Sequence, residues 1–393
     1  VEKTDSRKIL IVSLYLDSRE EHERILNYNG MTDKTVKIFV NKSQSRGLDA
    51  IFHLNAIPFF FVIDKDGNVE SLLEAIDKAN HQNEDSASQR LFVFIPNGVY
   101  DLGERTLTQI WGHNIALIGE SMEGTIIRNA PSVENESISK TATLLNRGWN
   151  TYLQDLTLQN ALDYYHSGAA GRAVCWQDKG NYTIFKRVRM LSYQDTYYSH
   201  SEECSHYFED SELHGTVDFL CGAGDVYFNR CLIVTEKRNL DGSGENVIAA
   251  PRTSTSKWGY VFNHCTIRND MSTFAFARGW HTNPRCVWLN TTLETPEKLM
   301  NTRFDPNGIR SVDNAFFEYN TMDANGRNIT PNSNVVTFKV NDQQCEAETI
   351  MDKKQAKKFV LKNVFPKWRP DKKTRDLEKQ STRMKKQYLK TAL

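Results

Sequence analysis

The chain has 393 residues, with 49 basic and 49 acidic side chains and 39% hydrophobic content. That length is ample to bury a core, and the composition reads as soluble and globular, which excludes a disordered or collagen-like chain. The longest apolar run, Ala56 to Ile63, is broken by Pro58 and falls short of the roughly 18 residues a membrane span needs, and zero net charge gives no sign of nucleic-acid binding.

Residues 1–56 read as a small α/β-like extension with no assigned function. They hold an apolar run from Ile9 to Leu16, a charged helix-like stretch from Ser18 to Asn27, and a second run from Val36 to Val40. No signal peptide is visible at Val1, and a start without Met suggests a trimmed chain. Leu72, Leu73, Ile76 and Ala79 then fall at helical spacing, predicting a cap over Ser71–Ala79.

From residue 57 to 350 one degenerate phrase recurs: an aromatic or apolar residue, two mostly polar ones, a small one, any residue, then an apolar one. It starts at Leu153, Phe185, Phe208, Phe228 and Phe262, with weaker copies at Trp288 and Phe317, at intervals of 32, 23, 20, 34, 26 and 29 residues. The last two core positions lie two apart, so they share one strand face, whereas the leading aromatic three residues earlier requires a bend. Strands at such intervals, with polar loops between, predict an all-β fold, a parallel β-solenoid whose coils stack. A β-sandwich is the alternative, but its hairpin turns at about 8–12-residue spacing are missing. Seven cysteines without a CxxC pair give no zinc-type spacing, and most read as small buried hydrophobes.

Residues 351–393 are expected to hold a final strand region and a basic, helical tail, with Leu377–Leu389 as a solvated helix set apart by Pro366 and Pro370. This segment carries 15 Lys/Arg and 4 Asp/Glu, so the neutral total hides a basic tail and an acidic body.

Three segments bring acid, amide and guanidinium groups close to repeat phrases: Tyr193-Gln194-Asp195-Thr196-Tyr197-Tyr198, Gly215-Thr-Val-Asp218-Phe-Leu-Cys-Gly222, and Phe276-Ala-Arg278-Gly-Trp280. Asp195 and Asp218 each lie ten residues after a leading Phe, so they should leave adjacent coils at matching places, about 4.8 Å apart. Close carboxylates repel, and an arginine beside one would keep that one charged, separating a nucleophile from a protonated acid. Gln194 adds an amide donor for an oxyanion. On the residues alone, catalysis and a structural Arg–Asp pair both remain open.

The stretch from Phe59 to about Pro366 resembles the pectin methylesterases, carbohydrate esterases built on a right-handed parallel β-helix. Gly215-Thr-Val-Asp-Phe-Leu-Cys-Gly looks like the family's GTVDFIFG block, Tyr193-Gln-Asp-Thr-Tyr-Tyr like YQDTLY, and Phe276-Ala-Arg-Gly-Trp like LGRPW. Gly98-Val-Tyr100, Asn114-Ile-Ala-Leu-Ile-Gly119 and Asp155-Leu-Thr-Leu-Gln-Asn160 support the match. The resemblance implies Asp218 as nucleophile, Asp195 as acid then base, Gln194 as oxyanion donor and Arg278 as the residue holding Asp218. It places Tyr198 and Trp280 along a sugar groove, although core packing would also explain them, and counts Val217 and Cys221 with that groove. No metal or cofactor is implied. The expected partner is methyl-esterified homogalacturonan or a related pectic polysaccharide, met by a secreted or periplasmic monomer.

Several positions depart from the family. Arg172 stands where a glutamine is expected, Cys221 replaces a groove phenylalanine, Gly279 replaces a proline, and Leu102 replaces a glutamate. Arg172 could donate to an oxyanion or grip a substrate carboxylate, so it is counted among the substrate-binding residues. The function expected is hydrolysis of pectin methyl esters. The alternatives are a silent β-helix that binds acidic polysaccharide, and a lyase or polygalacturonase.

Overall fold

The structure, a computed structural model, describes residues 68–391 apart from 169, 270, 281–282 and 312–314, and three short strands upstream, Ile9–Ile11, Phe52–Leu54 and Phe59–Val62. The helix-like stretch and second apolar run expected within residues 1–56 lie outside the described residues. No described helix is long and apolar enough to cross a membrane.

The bend required by the repeat is a backbone corner. Its third residue is left-handed in copy after copy: Asp155, Arg187, Asp210, Arg230, His264 and Asn290 all have φ between 49° and 55°. Such a conformation costs a residue with a Cβ about 1–2 kcal/mol, so its recurrence means that packing on both sides of the corner enforces it. Each corner turns the chain from one parallel ladder into the next. In the first ladder Phe185, Phe208, Phe228, Phe262 and Trp288 are in register from coil to coil. Past the corner, Met190, Leu213, Ile233, Ile267 and Leu293 are in register in the second. A third ladder runs through Thr108–Ile110, Leu144–Asn146, Trp176–Asp178, Tyr197–Ser199, Val217–Gly222, Glu245–Pro251 and Thr273–Ala277. Parallel pairing of successive coils makes this a β-helix and removes the sandwich alternative.

In-register coils stack like side chains inside. Ring centroids lie 4.1 Å apart for Phe185–Phe208, 4.7 Å for Phe208–Phe228, 4.4 Å for Phe228–Phe262 and 3.7 Å for Phe262–Trp288, all nearly parallel. The last copy corrects the sequence reading by one residue. Glu318, not Phe317, pairs with Trp288, and the left-handed corner is Asn320. Glu318 is fully buried and closes the stack with an ion pair to Arg303 and a 2.6 Å hydrogen bond from the Thr321 hydroxyl.

The other end is closed by helix Val69–Gln82, which buries Leu72, Ala75, Ile76 and Ala79 against the core. Asn68 caps it, accepting from Ser71 N at 3.0 Å. Asn80 Oδ1 accepts from the backbone of Trp111 and Gly112 at 2.9 and 3.0 Å, tying the helix to the start of the third ladder.

The basic tail is not set apart from the core, and its described part holds no strand. Helix Pro370–Thr391 docks on the β-helix with Thr374, Leu377, Ser381 and Met384 buried on one face. Ser381 donates to Gln154 at 2.9 Å, Lys385 meets Asp155 at 2.5 Å, and Glu378 pairs with Arg187. Asp155 and Arg187 are corner residues, so the corners that bend the coils also hold the helix. Phe365 and Trp368, beside the two prolines, join the same apolar cluster.

The ladder of rings predicts a large loss when one is removed. Phe262→Ala should cost about 3–5 kcal/mol, read from the shift in urea midpoint; a loss under about 1 kcal/mol would show that its neighbours need no partner there.

Candidate active site

Asp195 and Asp218 stand where the chain enters two adjacent strands of the third ladder. Tyr197 pairs with Leu220, so the two aspartates, each two residues earlier, occupy equivalent places one coil apart. Both have left-handed backbone, φ 60° and 54°, a conformation Asp tolerates better than most residues. A register shift between Val217 and Leu220 interrupts pairing with the next coil around Asp218. Gly222 lets the strand close up: its φ is +117°, and a Cβ there would lie 1.9 Å from Ser199 O.

The remaining groups come from coils on either side. Arg278 directly follows strand Thr273–Ala277, and its Nη2 donates to Asp218 Oδ2. Asp218 Oδ1 is buried with no hydrogen-bond partner among the described residues. On the preceding coil Arg172 is bridged through its backbone to Gln194, and its Nε lies 3.7 Å from Asp195 Oδ2. The Cys221 thiol lies 3.8 Å from Asp195 Oδ1. The structure therefore brings Asp195, Asp218, Arg278, Arg172 and Cys221 together, with Gln194 nearly buried beside them.

The electrostatics separate the two acids. Burial pushes the Asp195 carboxyl well above the usual carboxylate range; Asp218 adds to the rise, while Arg172 and Arg278 oppose it. Burial also raises Asp218, but Arg278 pulls against it by both charge and hydrogen bonding. The larger rise at Asp195 and the Arg278 bond at Asp218 favour the proton on Asp195 and the charge on Asp218.

Beside the acids the outer face of the third ladder carries a floor of Val174, Tyr198, Cys221 and Ala250. Cys221 is fully buried in that floor, with its thiol turned to Asp195 Oδ1. Val217 is likewise buried. Trp280 is exposed, its ring centroid 5.9 Å from that of Tyr198. Sequence reading missed Arg252, whose guanidinium lies 5.6 Å from the Trp280 ring and donates to His200 O at 3.0 Å. It also missed Tyr164, stacked at 4.7 Å on Tyr193, the neighbour of Gln194. The Tyr193 block carried a signal for the second, whereas no short motif marks Arg252.

The family model described as Pectinesterase matches residues 60–365. Pectinesterase 3 of Solanum lycopersicum is 28% identical over 242 residues, covering 59% of this chain and 42% of that protein. The chain thus spans about two-fifths of the length of such curated relatives. Among solved structures, the pectin methylesterase PemA from Erwinia chrysanthemi superposes with a TM-score of 0.60 at 22% identity, covering 79% of this chain and 97% of that one. A pectin methylesterase in complex with a hexasaccharide matches with the same TM-score, identity and coverage. These likenesses establish the β-helix fold.

A carboxyl with a raised pKa in the folded state costs stability once the same group in the unfolded chain ionises. Its penalty is absent below the ordinary carboxylate pKa and grows as pH rises toward the folded value. Asp195→Asn should therefore raise the melting temperature at neutral pH, with the gain vanishing below about pH 4. An unchanged or lower melting temperature at pH 7 would show that Asp195 is not held against its burial.

Proposed function

Because the chain belongs to the pectinesterase family, we propose that it hydrolyses methyl esters of galacturonate in pectin, releasing methanol, through a nucleophilic aspartate. The observation that carries this reading is the asymmetry of the acid pair. Asp218 has one oxygen fixed by Arg278 and the other buried without a partner, one coil from a carboxyl that burial keeps protonated. The silent-binder, lyase and polygalacturonase readings are not favoured.

The steps follow from those two states. The Asp218 carboxylate attacks the ester carbonyl carbon, and the developing oxyanion takes hydrogen bonds from Gln194 and Arg172. As the tetrahedral centre collapses, the C–O bond to the methoxy group breaks and Asp195 gives its proton to the departing oxygen, forming methanol. An anhydride now joins the galacturonate acyl group to Asp218. Asp195, left as a carboxylate, takes a proton from water, whose oxygen attacks the same carbon. Collapse releases the galacturonic acid and restores charged Asp218 and protonated Asp195. Trp280, Tyr198 and Arg252 line the outer face beside the acids, where sugar rings can stack and a polymer carboxylate can meet a cation.

The substrate class fits a secreted or periplasmic protein that modifies the plant cell wall, with a single chain as the working unit. An extended polymer needs an open groove rather than an enclosed cavity. A cavity of about 660 Å³ lies beneath the C-terminal segment, lined by residues such as Tyr227, Asn263 and Lys357.

Methanol release from methylated pectin is the direct test. Asp218→Ala should abolish it with the fold retained, and Asp195→Asn should lower kcat about 10²–10⁴-fold. Turnover that survives Asp218→Ala would remove the acyl-enzyme route. The single-proton pair also predicts a bell-shaped pH profile, rising as Asp218 ionises and falling as Asp195 loses its proton.

A further inference from the structure

Arg172 is held from the side opposite Asp195. The loop between strands Thr125–Asn129 and Leu144–Asn146 contains a short turn of helix, Val133–Asn135, and Glu136 follows it. The Glu136 side chain is only 5% exposed. It accepts from the Arg172 backbone N at 3.0 Å and from Arg172 Nη1 at 2.9 Å, with its second oxygen 3.4 Å from the same nitrogen. Thr141 of the same loop donates to Arg172 O at 3.0 Å. The loop thus grips Arg172 at its amide, its carbonyl and its guanidinium, while Nε faces Asp195. A long arginine side chain, 41% exposed at a groove, would otherwise sample many rotamers.

We propose that Glu136 is a positioning residue that clamps Arg172 against Asp195, so that the acid of the pair carries a fixed cation on the flank away from Asp218. The proposal rests on the esterase reading of the pair. A neutral glutamine at position 172 could donate to an oxyanion but would leave Asp195 facing Asp218, Cys221, Tyr198 and Arg278. Burial and Asp218 both favour the protonated acid, and an acid held too tightly cannot pass its proton to methoxide. Arg172 opposes both, and Glu136 keeps it in place to do so. The charged and titratable groups around Asp195 are Asp218 and Cys221 from strand Val217–Gly222, Tyr198 from strand Tyr197–Ser199, Arg278 from the coil beyond, and Arg172 from the coil before; Glu136 meets Asp195 through Arg172.

The test uses three single variants and one double. Arg172→Gln removes the cation, so the alkaline limb of the kcat profile should move to higher pH. Glu136→Ala releases the guanidinium to solvent and should move the limb the same way. Adding Glu136→Ala to Arg172→Gln should produce no further movement, because the clamp then has nothing to hold. Glu136→Gln keeps an acceptor for Arg172 while removing the charge that partly neutralises it, so its limb should lie at or below the wild-type position. The proposal is overturned if Glu136→Ala leaves the limb in place or lowers it, if the two effects add in the double variant, or if Glu136→Gln raises it. A role confined to holding the loop would not produce opposite behaviour from Ala and Gln. The same shifts should appear in the carbon-13 NMR titration of the Asp195 carboxyl, which needs no turnover. Absence of methanol release by the wild type would therefore defeat the esterase reading while the titration still decides the role of Glu136.

Discussion

Stacking of each coil in register on the last is the constraint from which the rest of the molecule follows. The inward rings from Phe185 to Trp288 meet face to face only if every coil begins its first strand at the same place. The left-handed corner one step later then falls in the same place too. A slip of one residue would turn the whole inward set outward, so register is fixed by burial rather than by any single contact. The same rule places Asp195 directly beside Asp218, since residues equally far from stacked partners must themselves be neighbours. A β-helix therefore creates the close pair of acids as a by-product of its own repetition.

That pair is unfavourable in isolation, and the residues around it decide which member bears the charge. Burial raises both carboxyls, so the fold sets the common level and the two arginines set the difference. Arg278 bonds directly to Asp218, while Arg172 stands at 3.7 Å from Asp195 and is shared with Glu136. Equal arginines would leave the proton undecided. The direct bond on one side and the shared, longer contact on the other favour the charge on Asp218.

Much of this was legible in the sequence because it depends on spacing. The matching offsets of Asp195 and Asp218 from Phe185 and Phe208 survive in three dimensions because all four belong to adjacent stacked coils. Glu136 and Arg252 lie in loops whose course no period governs, so nothing in the chain announced their contacts. The last repeat misled for a physical reason: at the end of the stack no further ring is needed, and Glu318 takes the inward place while Phe317 beside it imitates the pattern. The C-terminal helix misled because, among its described side chains, the hydroxylated Thr374 and Ser381 share the buried face with Leu377 and Met384, in a helix of eight cations.

The neutral net charge of the chain acquires a different meaning from this arrangement. Residues 351–393 carry a surplus of eleven positive charges and the preceding 350 residues an equal negative surplus. Lys385 meets Asp155, which binds part of that opposition into the docking of the helix. An acidic body is a poor long-range attractor for an acidic polymer, but at physiological ionic strength such charges are screened beyond about 8 Å. What a polymer segment senses on arrival is local. Near the two acids that means Arg172, Arg278 and Arg238, with Arg252 at Trp280, none of which lies in the basic tail. On the proposed reading, a polyanion at this site meets Arg172 and Arg278 where both are already engaged with the two acids.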